Sequence, residues 1–389
     1  MNVLIAAGSF KDVYNPFESC RIIKESLPDI DGNIDVIPMC DGGEYSYDVL
    51  ERVKGYIREI APNIKNAYGK IIDVRYLVKN NEAHIISSEV IRLYPIEDIY
   101  KNPLELSDYG LGQVVLDAIN KGYSSIYLYI GGTATATAGM GFAQALGVEI
   151  IDKNGNTFEE MIVSKELCNI AEIRFNKEKY SNISLTVVVD GDAKSYDIPS
   201  ITRLKIVKKF YNEADSIIEK AYAGIENVIS LSGISPETPF SGAAGGLLYG
   251  ISAVFNANYV LGVNHFSKIL DLEKFIAQAD YVITGEGRLD NTACGKTPAS
   301  VARMASDYGK KVIYVCGQLD DSIVCDYSSG IVDGCLYPFL KEMGIWKLIT
   351  CRQSYEKHPI ESDSYEVVIN EYKNRMPIIL KNLFESVFI

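Results

Sequence analysis

The chain has 389 residues, of which 47% are hydrophobic, and a formal net charge of -13. A chain of this length normally forms two domains, and its negative charge argues against nucleic acid or a membrane surface as the main partner. No apolar run approaches the ~20 residues that span a bilayer. No signal-peptide pattern precedes the first strand, and the eight cysteines form no C-x-x-C pair. These features predict a cytoplasmic protein.

The first third of the chain alternates short apolar runs with amphipathic stretches. Val3–Ala6 predicts a buried strand, and Asn15-Pro-Phe-Glu18 predicts a helix start with an Asn cap and an early proline. A second strand is expected over 35–38 and a second helix over 44–53. From 71 to 90 the pattern changes to closely spaced β-rich segments. This change predicts a different sheet, and with it a second domain.

Helix–strand alternation then returns. Residues 110–121 predict a helix that is closed by Gly122 and followed by a strand over 125–130. Repeated alternation of this kind is typical of an α/β fold with a mainly parallel sheet and covered faces. The pattern leaves open whether the second domain is inserted or follows in tandem. Further strands are predicted at 185–189, 281–284 and 312–316.

Two glycine-containing turns follow predicted strands. Gly131-Gly132 is followed by small and hydroxyl residues and then a helix, so that a ligand could approach the backbone and the helix N-terminus. The alternative is close helix–sheet packing by small residues. The acidic turn Asp41-Gly-Gly-Glu44 lies where open α/β sheets bind ligands, although it could be an ordinary turn.

Two weaker features have ordinary structural explanations as well. Asp190 ends a very hydrophobic strand and could be a capping residue. Ser241–Leu247 is a small-residue turn into a helix and could serve tight helix packing.

The densest group of charges follows the strand at Tyr281. Glu286, Arg288, Asp290 and Lys296 share a glycine-rich turn before a helix, which exceeds what a structural loop needs. The tail Gly-Lys-Thr is not a Walker A loop, because Asp290 occupies the position of that motif's first glycine. The charge density therefore predicts a functional site.

Some reaction classes are disfavoured by what the sequence lacks. The three histidines are widely separated, which argues against histidine-based hydrolysis and against a zinc site. No G-x-G-x-x-G follows the first strand, which argues against an NAD-dependent dehydrogenase.

Several of these segments together resemble the bacterial glycerate kinase family, in the family's order and spacing. The resemblance implies a Rossmann-like parallel-sheet domain formed by residues 1–65 and 265–389, with a second α/β domain, 66–264, inserted and the active site in the cleft between them. The matching blocks are residues 5–11, 40–44, 130–135, 242–246 and 283–290, followed by Gly295-Lys296.

The resemblance also implies a reaction. Family members transfer the γ-phosphoryl group of ATP, with Mg²⁺, to a hydroxyl of D-glycerate or a related small hydroxy acid, usually giving 2-phosphoglycerate. The partners would be a nucleotide and a small molecule, with no nucleic acid or membrane, and the chain would be a monomer or homodimer. Asp190, Lys11, Arg288 and Lys296 would be catalytic, and Glu286 and Asp290 candidate metal ligands. Suggested for binding substrate or nucleotide are Ser9, Asp41, Gly42, Gly43, Glu44, Gly131, Gly132, Thr133, Thr135, Gly242, Gly245, Gly285, Glu286 and Gly287.

Two matched loops depart from the family pattern. Gly8 and Thr137 occupy positions at which the family usually carries an aspartate. Loss of a catalytic carboxylate could cost several kcal/mol of transition-state stabilisation. The departures therefore motivate an alternative, a catalytically weakened relative that binds nucleotide or sugar acid in a regulatory role. Asp190 or Glu89 could replace a missing acid.

Overall fold

The computed structural model describes residues 1–10, 13–92, 103–175, 177–191, 214–291, 293–324, 326–357 and 364–388. The chain divides into two compact units: the first comprises Met1–Asp41 and Val263–Ile389, and the second comprises Gly42–Gly262. Residues 42–65 thus belong to the second unit, whereas the sequence analysis placed them in the Rossmann-like domain. The reason is that Ile57–Lys65 is a strand paired with the strand Ile71–Lys79 of the second unit.

In chain order, the strands are β1 Val3–Ile5, β2 Ile34–Val36, β3 Ile57–Lys65, β4 Ile71–Lys79, β5 Glu82–Ile86, β6 Ser125–Tyr129, β7 Glu149–Asp152, β8 Ile170–Arg174, β9 Ser184–Val189, β10 Asn258–Leu261, β11 Tyr281–Leu289, β12 Lys311–Leu319, β13 Ile331–Asp333 and β14 Lys347–Thr350. The helices are α1 Pro16–Ser26, α2 Ser46–Glu51, α3 Ser88–Ile91, α4 Tyr109–Asn120, α5 Met140–Ala145, α6 Ala214–Ser232, α7 Leu247–Val254, α8 Gly262–Ile269, α9 Leu272–Gln278, α10 Thr297–Asp307, α11 Pro338–Glu342, α12 Arg352–Lys357 and α13 Tyr365–Phe388. No helix among the described residues is long and apolar enough to cross a membrane.

The first unit contains a six-stranded sheet in the order β13-β14-β12-β11-β1-β2. All neighbours are parallel except β13, which runs antiparallel to β14. From β1 the chain continues to β2 on one side, and from β11 to β12 on the other. The order therefore reverses between β1 and β11, and the crevice at the carboxyl ends of those strands is where open α/β sheets bind ligands.

The second unit has its own six-stranded sheet, in the order β10-β9-β6-β5-β4-β3, and a separate hairpin of β7 and β8. Strands β5, β6, β9 and β10 are parallel, and their carboxyl ends lie at one edge. Strands β3 and β4 extend the sheet as antiparallel neighbours. A continuous apolar core packs against this sheet, and β6 and β9 contribute side chains with no exposed surface, such as Leu128 and Val187.

The start of α1 is formed as the sequence predicts. Asn15 Oδ1 accepts hydrogen bonds from the N–H groups of Phe17 and Glu18, and Glu18 Oε2 accepts one from the Asn15 N–H at 3.0 Å. This reciprocal capping box satisfies helix N–H groups that have no partner within the helix.

We expect Asn15→Ala to lower the free energy of unfolding by about 1 kcal/mol, because it removes the acceptor of both helix N–H groups. Asn15→Asp keeps an acceptor oxygen and should retain most of the stability. Urea unfolding followed by circular dichroism measures both variants. Equal losses for the two variants would contradict a capping role.

Candidate active site

The carboxyl end of β11 carries the charged residues that the sequence analysis singled out in the first unit. Sequence analysis predicted a strand over 281–284 and a turn from Gly285 onward, and this is wrong: β11 continues to Leu289 beside an equally extended β12. A Cβ at Gly285 would lie 2.1 Å from the Val315 carbonyl oxygen. Glycine therefore permits the close approach of the two strands, and Glu286 is held by the sheet rather than by a loop.

Glu286 is the buried carboxylate of this edge, with 8% of its surface exposed. The Tyr314 hydroxyl donates a hydrogen bond to Glu286 Oε1 at 2.6 Å, and Lys296 Nζ lies 3.4 Å from Oε2. Burial raises the pKa of Glu286, whereas the Lys296 charge and the Tyr314 hydrogen bond oppose the rise. Such a carboxylate changes its charge readily when a neighbouring cation is engaged by a ligand.

Further charges alternate in sign along the same edge. Lys296 Nζ lies 3.7 Å from Asp290 Oδ1, and Arg288 lies 3.8 Å from Asp290 and 3.5 Å from Asp320. The Arg288 side chain is 65% exposed, so these long contacts contribute little stability and leave the guanidinium accessible. The pKa of Asp320 is lowered by hydrogen bonds from Ser322 and by Arg288. The edge therefore presents two accessible cations among three carboxylates.

Helix α10 begins next to these charges and next to the end of β1. Its first residue, Thr297, follows Lys296, whose side chain does not cap the helix start. A Cβ at Gly8 would lie 4.0 Å from both Pro298 and the Met39 carbonyl oxygen, which is ordinary contact distance. The helix N–H groups, with their positive dipole end, thus adjoin the strand-order reversal, an arrangement suited to an anion.

A cavity of about 550 Å³ opens on the carboxyl side of β12. Arg352 forms one wall, because it donates to the Leu319 carbonyl oxygen and pairs with Asp321 and Glu356 at 2.7 Å each. The lining residues include Arg288, Gln318, Asp320, Arg352, Tyr355 and Tyr372.

In the second unit, Gly42, Gly43 and Glu44 of the acidic turn pack on the Gly131-Gly132 turn. The Gly131 N–H donates to the Gly42 carbonyl oxygen at 3.2 Å, and a Cβ at Gly131 would lie 2.5 Å from Gly43 Cα and 3.1 Å from Asp190 Cβ. The φ of Gly132 is +76°, and a Cβ there would lie 3.1 Å from Glu44 Cγ. The structure therefore brings Glu44 and Asp190 to these two glycines.

The remaining small residues of this loop are packed inside the second unit. Thr133 is 3% exposed and Thr135 is fully buried. A Cβ at Gly245 would lie 2.0 Å from the Thr135 carbonyl oxygen, so backbone packing accounts for that glycine. Gly242 precedes the turn of Ala243–Gly245.

Arg75 of β4 forms an ion pair with Glu89 of α3 that the sequence analysis did not predict. Arg75 Nε and Nη2 donate to Glu89 at 2.6 and 3.2 Å, and the guanidinium lies 3.9 Å from the centre of the Tyr47 ring. Both oxygens of Glu89 are therefore engaged. Glu89, which the sequence analysis considered as a replacement acid, instead holds an arginine.

Two expectations stay predictions. Lys11 lies outside the described residues. Among the described residues, no group of three or more His, Cys, Asp or Glu side chains is arranged to hold a metal ion. Mg²⁺ commonly takes one or two carboxylates together with substrate phosphates and water, so this finding leaves the role of Glu286 and Asp290 to experiment.

Sequence reasoning missed Tyr314 and Asp320 in the first unit, and Arg75 in the second. Tyr314 belongs to β12, and Asp320 directly follows this strand. Strand alternation places Tyr314 on the same face of β12 as Cys316, but only the register, in which Cys316 is the partner of Glu286, brings Tyr314 to Glu286. No sequence signal pointed to Arg75, since its partner Glu89 lies beyond the next strand of the sheet.

Comparisons with known proteins show the family to which the chain belongs. The model of the glycerate kinase family matches residues 3–196 and 203–339. Glycerate kinase of Halalkalibacterium halodurans is 29% identical over 342 residues, which cover 85% of this chain and 88% of that protein. Glycerate 2-kinase of Escherichia coli (strain K12) is 27% identical over 344 residues, covering 85% and 89%.

A solved structure is similar to the whole chain. The crystal structure of a candidate glycerate kinase 2 from Salmonella typhimurium LT2 superposes with a TM-score of 0.69 at 21% identity, covering 100% of this chain and 98% of that one. At this identity the likeness concerns the fold, which is α/β as predicted. Together with the family match, it confirms the resemblance drawn from the sequence blocks. The chain belongs to the glycerate kinase family and is a kinase that acts on an alcohol group.

Proposed function

We propose that this protein transfers the γ-phosphoryl group of ATP, with Mg²⁺, to a hydroxyl of D-glycerate and forms 2-phosphoglycerate. The observation that carries the proposal is the group of Lys296, Glu286 and Asp290 beside the start of α10. Phosphoryl transfer involves little covalent chemistry for the protein, and depends on positioning and charge neutralisation. The names of the two relatives above support glycerate as the acceptor.

The first unit offers the groups that a nucleotide needs. Lys296, Arg288 and the first N–H groups of α10 would neutralise the phosphates. Glu286 and Asp290 would hold Mg²⁺: their oxygens lie within 4 Å of the same ammonium group, and hard carboxylate oxygens are the ligands this ion prefers. When bound, the ion would add positive charge against the transferred group. We expect the nucleoside in the cavity beside Arg288.

The second unit offers the groups that an acceptor needs. Asp190 would accept the proton of the attacking hydroxyl, and the packed glycine turns at Gly42 and Gly131 would hold Asp190 and Glu44 in position. Asp190→Asn should then lower kcat more than it raises KM for the acceptor. The interdomain cleft expected from the resemblance stays a prediction.

Purified protein with ATP, Mg²⁺ and D-glycerate should release ADP only when the hydroxy acid is present. The product should be consumed by enolase, which accepts 2-phosphoglycerate and not the 3-isomer. Release of ADP with a product that enolase does not consume would overturn the position of transfer. Absence of turnover across a panel of small hydroxy acids would overturn the kinase proposal itself.

Tyr314→Phe should change the pH dependence of that reaction. The Tyr314 hydrogen bond favours ionised Glu286, so its loss raises the pKa of Glu286 further. Activity that requires the ionised form then sets in at higher pH, and the acidic limb of the kcat/KM profile moves upward. Tyr308→Phe, at the exposed end of α10, is the matched control and should not move it. An acidic limb that stays in place, or moves to lower pH, would contradict this role.

A further inference from the structure

A buried carboxylate with no part in the proposed chemistry lies just before α4. Asp108 is fully buried, and its Oδ1 accepts a hydrogen bond from the Phe142 N–H at 2.9 Å, in the first turn of α5. A Cβ at Gly141 would lie 2.7 Å from the same oxygen, so glycine there permits the carboxylate to approach. Gly139, which directly precedes α5, has no side chain that could cap it. Asp108 therefore caps α5 from another helix.

The Thr137 hydroxyl, in the loop before α5, is a side-chain group that acts on this carboxylate. Burial raises the pKa of Asp108, and the Thr137 hydroxyl and the N–H groups of Phe142 and Gly141 oppose the rise. Thr137 is fully buried as well. Within the described residues, neither Asp108 Oδ2 nor Thr137 Oγ1 completes a hydrogen bond of good geometry. Carboxylate and hydroxyl thus share one closed space.

This pair holds one end of the loop that begins at Gly131. The Met140 N–H donates to the Thr137 carbonyl oxygen at 3.0 Å, and the Ala138 N–H donates to the Gly245 carbonyl oxygen at 3.0 Å. The other end of the loop carries the glycines on which Glu44 and Asp190 converge. A shift of the buried end would therefore move the glycine turn relative to both carboxylates.

We propose that Asp108 is a positioning residue for the Gly131–Gly139 loop, and that the acid and the hydroxyl of the Asp108–Thr137 pair can exchange places. The α5 N–H groups need an acceptor, because a buried N–H without one is costly. A carboxylate reaches them from either position of the shared space. Two carboxylates would repel each other there, and none would leave the N–H groups unsatisfied. The protein should therefore be most stable with one carboxylate, at either position 108 or position 137.

A double-mutant cycle tests this proposal. Asp108→Thr and Thr137→Asp should each lower the urea midpoint of unfolding and raise KM for the hydroxy acid by about tenfold, equivalent to about 1.4 kcal/mol. The double variant Asp108→Thr/Thr137→Asp should return both quantities close to those of the unchanged protein. Additive losses in the double variant would overturn the exchange.

Replacing Asp108 with Asn or with Ala shows whether its role is to accept a hydrogen bond at the start of α5 or only to fill buried space. Asp108→Asn keeps an acceptor for the Phe142 N–H and removes the buried charge, so its midpoint and KM should stay close to those of the unchanged protein. Asp108→Ala should lower the urea midpoint and raise KM for the hydroxy acid. Equal behaviour of Asn and Ala would overturn the positioning role. Because the midpoint needs no turnover, the cycle remains informative if the proposed acceptor proves wrong.

Discussion

Replacing Lys296 with methionine should lower kcat by about a hundredfold to a thousandfold, the range typical of removing one charge-stabilising group from an active site. Lys296 is the cation between Glu286 and Asp290, and it lies at the start of α10. Without it, two carboxylates would face the incoming phosphates with no neutralising charge. Methionine keeps the apolar stem, so the loss measures the charge.

Lys310→Met is the matched control. Lys310 belongs to the same unit, and its ammonium donates to the Ala277 carbonyl oxygen on the exposed surface. Steady-state kinetics should show a large loss for Lys296→Met and almost none for Lys310→Met. Lys296→Met should also lower the unfolding midpoint, because the buried Glu286 loses its cation. Equal kinetic losses, or a Lys296→Met defect confined to stability, would remove Lys296 from the site.

The fold could be predicted where local signals agree with tertiary packing. The capped start of α1 and the buried runs of β1, β9 and β12 follow from short-range chemistry and from apolar patterns. The failure at β3 has a physical cause. This strand is at the edge of the sheet, and it exposes Ile57 by 65% and Ile60 by 51%, so its pattern does not show which face is buried.

The site could be predicted only as a set of segments. Glycines at Gly131 and Gly245 look alike in sequence, yet the first packs against a turn that bears Glu44, and the second against the loop backbone. Only the partners distinguish them, and both partners come from distant parts of the chain. Strand pairing likewise determines that Tyr314 contacts Glu286.

The two departures from the family pattern also change their meaning. Gly8 has room for a side chain, so no steric conflict excludes an acid there. Thr137 lies beside Asp108, so the space around it already contains a carboxylate. The acid missing at Thr137 thus has a counterpart in Asp108, and the relatives described above lend the regulatory alternative no support.

Gly131→Ala should abolish most of the activity, because the added methyl group has no room. Its Cβ would lie 2.5 Å from Gly43 Cα and 2.8 Å from Gly43 N, and neither is the flexible end of a side chain. The Asp-Gly-Gly-Glu turn must move, and Glu44 moves with it. A displacement of about 1 Å at a reacting group can cost about a hundredfold in rate, and overpacking costs about 1–3 kcal/mol of stability.

Gly191→Ala is the matched control, because it also replaces a glycine with alanine and so changes the entropy of the unfolded backbone in the same way. It follows Asp190 directly, and no described atom lies within 4 Å of a Cβ placed there. Neither glycine has the positive φ that would strain an alanine, so the two variants differ in sterics alone. Kinetic assays and urea unfolding should separate them clearly. If Gly131→Ala were as active as Gly191→Ala, the close contact between Gly131 and Gly43 would not be required for activity.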